Sequence, residues 1–151
     1  MKHFLIIGGG IAGTSAAYQL LERDCQVTLM DAGYNHSTLV AAGQINPMVF
    51  RRMTKSWRVD EFLPFARSWY ELLEKQTGMS IIEDKPIRRL FAHEQEKEDW
   101  LKRQDQDEFS AYLSPITDAD LHFDKAINLC GSGRVKHSFY IHINICTLIT
   151  K

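Results

Sequence analysis

The sequence predicts an α/β fold that begins with a strand, a glycine-rich turn, a helix and a second strand. Three observations support this order: an apolar run at residues 4–7, a glycine-rich segment at residues 8–13, and a second apolar run, 27–30, that ends at Asp31. They place the first strand at about residues 3–8, the helix at 11–23 and the second strand at 26–31. The order is that of a Rossmann-like dinucleotide-binding unit.

The glycine segment has the pattern G-x-G-x-x-G, with its three glycines at Gly8, Gly10 and Gly13. Gly8 permits a tight turn out of the strand, and Gly10 lets the backbone approach a pyrophosphate. Gly13 allows the helix to pack closely on the strand. The N-terminus of this helix then offers free N–H groups and a partial positive charge to phosphates.

Asp31 stands at the end of the second strand, where a carboxylate accepts hydrogen bonds from the ribose hydroxyls of an adenosine. A carboxylate here also disfavours a 2′-phosphate, which argues against NADP-type ligands. Ala17 and Leu20 continue the helix face that starts at Gly13, so we expect both on the sheet. The alternative, a glycine turn without a ligand, is disfavoured because strand, helix and acid all occur at the expected positions.

The composition is that of an ordinary globular protein, with 151 residues, 44% hydrophobic residues and a net charge of −1. This balance gives no reason to propose nucleic acid or an anionic membrane as a partner. The three cysteines, Cys25, Cys130 and Cys146, are far apart in the sequence, which favours reduced thiols and a cytoplasmic protein. No apolar run is long enough to span a bilayer.

The rest of the chain predicts an α+β portion. Residues 32–57 have no sustained period, whereas 58–77 predict a helix that ends at Gly78. Its apolar stripe, which is more often core than cofactor-lining, consists of Phe62, Phe65, Trp69, Leu72 and Leu73. We further predict strands at 81–82, 87–91, 126–129 and 135–143, a turn at 131–133, and a charged helix at 94–108 with Trp100 and Leu101 as its main apolar contacts.

The sheet begun by the first two strands is incomplete in this sequence. A doubly wound sheet needs further parallel strands, each reached through a long crossover, and the pattern does not repeat after residue 32. Residues 144–151 have the pattern of a helix that stops midway. We therefore expect a truncated chain.

The N-terminal third also resembles a known family. The pattern from Gly8 to Leu20 and Asp31 is followed by Ser37-Thr38 and by Ala41-Ala42-Gly43-Gln44-Ile45-Asn46-Pro47. This combination is similar to the FAD-dependent D-amino-acid oxidase superfamily, to which glycine oxidase and sarcosine oxidase-like enzymes belong. The resemblance covers residues 1–50 well and the later elements more loosely.

The resemblance implies FAD as the cofactor and assigns three groups of residues to it. The pyrophosphate group comprises Gly8, Gly10, Ile11, Ala12 and Gly13. Asp31, with Ala32 beside it, would hold the adenosine ribose, while Ser37 and Thr38 would lie near the pyrophosphate and ribityl chain. The backbone along the flavin ring would be that of Ala42, Gly43, Gln44 and Ile45.

The implied activity is oxidation of the C–N bond of a small amine or amino acid, in which the flavin takes a hydride. Residues 1–50 would then belong to the FAD-binding domain and 51–151 to a substrate domain. The family recognises a substrate carboxylate with residues of its later half, so no catalytic residue is assigned in this sequence. The histidine spacings match no metal site, and a homo-oligomer is compatible with the sequence.

Two alternatives and one cluster stay open at this stage. The first alternative is an NAD(H)-binding dehydrogenase domain, which leaves the segment 41–47 unexplained. The second is a truncated, non-catalytic product that binds the dinucleotide weakly or not at all. The cluster, which consists of Arg51, Arg52, Lys55 and Arg58, indicates either an anion site or, as is commoner for charge clusters, a solvated surface.

Overall fold

The structure is a computed structural model that describes residues 1–34, 37–121 and 130–142. It divides into two compact units: unit 1 holds Met1–Gly43 together with His142, and unit 2 holds Gln44–Ile141. The assignment of 1–50 to an FAD-binding domain and 51–151 to a substrate domain stays a prediction. The predicted strand at 126–129 and the predicted helix start at 144–151 lie outside the described residues.

Unit 1 is the predicted βαβ unit. Strand β1 (His3–Ile7) leads into helix α1 (Ile11–Leu21), which returns the chain to strand β2 (Gln26–Met30). The two strands pair in parallel, from His3 opposite Gln26 to Ile7 opposite Met30. A short helix, α2 (Ser37–Val40), follows. Both strands and the helix confirm the sequence prediction.

Close packing of α1 on β1 requires Gly13. A Cβ atom on Gly13 would lie 1.9 Å from the carbonyl oxygen of Gly8, far inside van der Waals contact. Gly8 itself has φ +103°, the conformation predicted for the turn out of the strand. Ala17 is buried, as expected for the helix face on the sheet, and Leu20 is half-buried. Gly13 therefore has a packing role that holds with or without a ligand.

Unit 2 contains the remaining elements. In chain order they are β3 (Gln44–Ile45), β4 (Met48–Val49), a 3-10 turn (Phe50–Arg52), β5 (Thr54–Lys55), α3 (Val59–Thr77), β6 (Ile82–Glu83), β7 (Ile87–Leu90), α4 (Glu94–Gln104), α5 (Asp107–Ser110), α6 (Asp118–Leu121), β8 (Ser132–Val135) and β9 (Phe139–Ile141). Strand β9 lies between β3 and β6, while β4 pairs with β5 and β7 with β8, all antiparallel.

The core of unit 2 forms around Trp100, which is fully buried. Its ring lies 5.5 Å from that of Phe91, centroid to centroid, and its indole N–H donates to the carbonyl of Ser114 at 3.0 Å. The cluster around it comprises Met48, Met53, Val59, Ile87, Phe91, Phe109, Tyr112, Leu113 and Val135. Helix α4 thus packs through one large aromatic side chain. Its charged residues are solvated only in part, contrary to the predicted solvated face, because Glu96 is buried and Asp99 and Arg103 are half-buried.

Part of the predicted α3 stripe is wrong. Trp69 and Leu73 are buried, but Phe62, Phe65 and Leu72 are 45%, 64% and 42% exposed. Leu101 of α4, also predicted as an apolar contact, is 42% exposed. Helical periodicity identifies residues that share a face, and only packing decides which face is covered.

Two element boundaries also differ from the prediction. The helix predicted over 94–108 ends at Gln104, and a second one begins at Asp107, which brings Phe109 into the core. The strand predicted over 135–143 is two strands, because His137 between them takes a left-handed conformation with φ 57°. The predicted turn at 131–133 is mostly strand, since Ser132 opposes Leu90 in the β7–β8 ladder.

Candidate dinucleotide site

A cavity of about 300 Å³ opens at the carboxyl ends of β1 and β2 in unit 1. This is the edge at which α/β sheets bind nucleotides. Its lining combines the glycine turn, the end of β2 and the start of α2, and consists of Ile7, Gly8, Gly10, Met30, Asp31, Ala32, Tyr34, Ser37 and Thr38. Six of the predicted cofactor residues are therefore brought together here.

The N-terminus of α1 supplies amide donors beside this cavity. The first N–H groups of any helix lack intrahelical partners. Here the amide of Ile11 donates to Oγ1 of Thr38 at 3.1 Å, while those of Ala12 and Gly13 have no acceptor within the described parts of the chain. The cap residue, Gly10, provides no side chain to satisfy them. Unsatisfied donors and the positive helix end together favour an anion.

Asp31 ties the end of β2 to the glycine turn. One carboxylate oxygen accepts from the amide of Gly9 at 2.5 Å, and the other accepts from the amide of Gly33 at 2.7 Å. A carboxylate oxygen has more than one acceptor site, so an oxygen that accepts from an amide can also accept from a ribose hydroxyl. Sequence reasoning missed the role of Gly9, for which the only signal was its place between the first two motif glycines.

The remaining predicted cofactor residues lie outside this cavity. Ala42 and Gly43 follow α2 at the end of unit 1, whereas Gln44 and Ile45 form β3 of unit 2. There the side-chain amide of Gln44 donates to the hydroxyl of Tyr140 at 2.9 Å across the β3–β9 pair. Their assignment to the flavin ring therefore stays a prediction.

The residues of the cavity suit a dinucleotide phosphate. A Cβ atom on Gly10 would lie 3.1 Å from Oγ1 of Thr38, so a side chain there would crowd the space above the helix N-terminus. The open donors of α1, the bare glycine backbone and the carboxylate of Asp31 are complementary to a pyrophosphate and an adjoining ribose.

Comparison with known proteins identifies the family. The model of the DAO family, described as FAD dependent oxidoreductase, matches residues 3–141. The chain belongs to this family. The family is FAD dependent, so the predicted cofactor, FAD, is confirmed at the level of the family, and the alternative of an NAD(H)-binding dehydrogenase domain is not supported.

Two relatives extend this result. Residues of this chain are 36% identical over 58 positions to a protein named uncharacterized oxidoreductase YurR from Bacillus subtilis (strain 168), a match that covers 38% of this chain and 16% of that one. The crystal structure of a glycine oxidase from Bacillus cereus ATCC 14579 superposes with a TM-score of 0.69 at 24% identity. That superposition covers 96% of this chain and 42% of the glycine oxidase. The mixed α/β fold is thus confirmed.

Two other kinds of site are absent from the described residues. Within residues 1–34, 37–121 and 130–142, no helix is long and apolar enough to cross a membrane. The same residues contain no group of three or more His, Cys, Asp or Glu side chains that could hold a metal ion.

Proposed function

We propose that unit 1 binds the ADP half of FAD through the cavity at the carboxyl ends of β1 and β2. The observation that carries the proposal is the helix N-terminus of α1, whose amides at Ala12 and Gly13 lack partners among the described residues beside that cavity. Gly8, Gly10 and the start of α1 would hold the pyrophosphate. Asp31, with Ala32, would hold the adenosine ribose, and the hydroxyls of Ser37 and Thr38 would lie along the chain that follows.

We further propose that the whole enzyme oxidises the C–N bond of an amine or amino acid. When bound, FAD supplies the hydride acceptor for the C–H beside the substrate nitrogen. Family membership supports this reaction class, and the likeness to a glycine oxidase agrees with it. The chain spans 42% of that glycine oxidase, and we assign it no catalytic residue.

The first test is the visible absorption spectrum of the purified chain, followed by calorimetric titration of flavin-free protein with FAD and with NAD⁺. We expect saturable FAD binding and much weaker NAD⁺ binding. A folded chain that binds neither would contradict the proposed site and favour the alternative of a product that binds no nucleotide. A chain that binds FAD but turns over no amine would retain the site while excluding independent catalysis.

Gly10→Val sharpens this test. A valine places its Cβ 3.1 Å from Oγ1 of Thr38 and extends its methyl groups into the space proposed for the pyrophosphate. We expect loss of FAD binding with the far-ultraviolet circular dichroism spectrum retained. Ala16→Val, at an exposed position of the same helix, is the matched control and should bind normally. Unchanged affinity of the Gly10 variant would refute the phosphate assignment.

A further inference from the structure

Unit 2 contains a second polar cavity, of about 490 Å³, far richer in charge than the first. It lies between the 3-10 turn, strand β7 and helix α4. Its lining consists of Phe50, Arg51, Arg52, Met53, Arg89, Ala92, His93, Glu96, Asp99 and Arg103. Four arginines face two carboxylates in one lining, an excess of two positive charges in a chain whose net charge is −1.

Two of the four arginines are held in place by the fold. The Nε of Arg89 donates to Glu96 at 2.7 Å, and its guanidinium carbon lies 5.3 Å from the ring centroid of Phe50. Arg103 donates through Nη1 to the carbonyl of Met53 at 2.5 Å. Each contact uses one nitrogen of a group that has five N–H donors, so both guanidiniums keep donors for a further acceptor.

The other two arginines are exposed cations on the 3-10 turn. Arg51 and Arg52 have no side-chain hydrogen bond or ion pair within the described residues. The two acids of the lining have other partners: Glu96 accepts from Arg89 and from the amide of Ala92 at 2.8 Å, and Asp99 accepts from Gln95 at 3.0 Å. Among the described residues, neither acid forms an ion pair with Arg51 or Arg52, and the lining keeps its excess of positive charge.

The four cations clustered at residues 51–58 of the sequence have different surroundings in the structure. Lys55 pairs with Asp60 at 2.5 Å, and Arg58 pairs with Glu61, so these two cations are compensated. Arg51 and Arg52 are joined instead by arginines of β7 and α4, which are distant in the sequence. A solvated surface run does not account for a cavity whose lining includes four arginines from three elements.

We propose that this arginine-lined cavity binds a small polyanion with two or more phosphate or carboxylate groups. Guanidinium groups recognise both kinds of oxyanion through paired hydrogen bonds. Arginines on separate elements suit a ligand with more than one anionic group, and the volume is that of a small-molecule site. The proposal is independent of the FAD site, which lies in unit 1.

The test is calorimetric titration of the full chain with inorganic pyrophosphate and with citrate, at constant ionic strength. We expect saturable binding of at least one probe, and the tighter probe identifies the phosphate or the carboxylate class. Affinity should fall as ionic strength rises, because part of the site is exposed. Absence of saturable binding by both probes would overturn the proposal.

Substitutions then locate the site. Arg51→Gln with Arg52→Gln should weaken the better probe at least about tenfold, since two charge-assisted contacts are lost. Lys75→Gln with Lys85→Gln removes the same charge from exposed positions outside the lining and should change affinity less than about twofold. Equal losses in both double variants would show a general charge effect and overturn the assignment. Arg51→Lys with Arg52→Lys keeps the positive charge but removes the paired N–H donors of the guanidinium. We expect this variant to lose less affinity for the probe than the Gln double variant and more than the control.

Discussion

Asp31 joins a structural role to its proposed ligand role. Its carboxylate anchors the amides of Gly9 and Gly33, so it fixes the glycine turn as well as offering acceptors to a ribose. We predict that Asp31→Ala weakens FAD binding by about 1–3 kcal/mol, as expected when charge-assisted hydrogen bonds are lost. Calorimetric titration of the flavin-free chain measures this loss.

Glu22→Ala, which removes an exposed acid at the end of α1, is the control for the lost charge and should bind FAD as the unmodified chain does. If the Asp31 variant bound FAD with full affinity, the role of Asp31 would be structural only, that is, to hold the glycine turn against the end of β2.

Asp120 is the most strongly connected acid of unit 2. It is 1% exposed and accepts from the amide and hydroxyl of Thr117 at 3.0 and 2.6 Å and from Arg88 at 2.8 Å. Burial raises the pKa of Asp120, but these hydrogen bonds and the nearby Arg134 outweigh burial and hold the pKa below its usual value. The folded protein therefore favours the ionised form of the Asp120 carboxyl group.

We predict that Asp120→Asn lowers the free energy of unfolding by about 2 kcal/mol at neutral pH, because two arginines lose their counter-ion. A depressed pKa contributes stability above the unfolded value, and this contribution disappears as the pH falls through the folded value. The difference from the unmodified chain should therefore shrink in acid. Urea unfolding at several pH values measures it, with the exposed Asp105→Asn as control. A difference that is constant with pH would contradict the ionised role.

At the scale of elements, the approach of α1 to the end of β1 leaves no room for a side chain at Gly13. Gly13→Ala would place a methyl group 1.9 Å from the carbonyl oxygen of Gly8 and 3.3 Å from a methyl of Ile6. Because the oxygen belongs to the backbone, the helix must move. We predict a loss of about 1–3 kcal/mol in the stability of unit 1, in line with other overpacked contacts. Limited proteolysis and hydrogen exchange of residues 1–34 measure this loss, with Ala16→Ser as the control.

Elements with strong local signals were predictable from the sequence. The βαβ unit follows from two apolar runs, a glycine motif and an acid, all within 31 residues. The exposed side of α3 was not predictable, because periodicity does not reveal what packs against each face. Nor was the break at His137, since a left-handed histidine between two strands has no clear sequence signature.

The same limit applies to the two sites. Motif spacing predicted the residues around the first cavity, because they are close in sequence and their roles depend on local geometry. Only two of the four arginines of the second cavity could be grouped from the sequence. Arg51 and Arg52 were recognised as cationic neighbours, but Arg89 and Arg103 join them through tertiary packing.

At the scale of the whole molecule, several ionisable groups of unit 2 have shifted pKa values. The acids with a lowered pKa are Asp60, Glu74, Asp84 and Asp120, and the pKa of Tyr112 is raised to about 12. The tryptophans, Trp57, Trp69 and Trp100, also lie in this unit. Tryptophan fluorescence therefore reports the pH dependence of unit 2 directly.

Tyr112 contributes to the alkaline side of that dependence. Burial raises its pKa, and so does its hydrogen bond to Asp60, at 2.6 Å. A raised pKa contributes stability that is complete below the unfolded value of 10.0 and is lost as the pH rises towards about 12. We predict that Tyr112→Phe costs about 1 kcal/mol at neutral pH, the net value of one hydrogen bond.

The advantage of the unmodified chain over Tyr112→Phe should then fall as the pH rises from 10 towards 12, because phenylalanine has no proton to lose. Urea unfolding followed by tryptophan fluorescence at closely spaced pH values measures both curves. Tyr34→Phe, at an exposed position of unit 1, should leave the fluorescence curve unchanged. Parallel alkaline limbs for Tyr112→Phe and the unmodified chain would show that the Tyr112 hydroxyl does not govern the loss of stability.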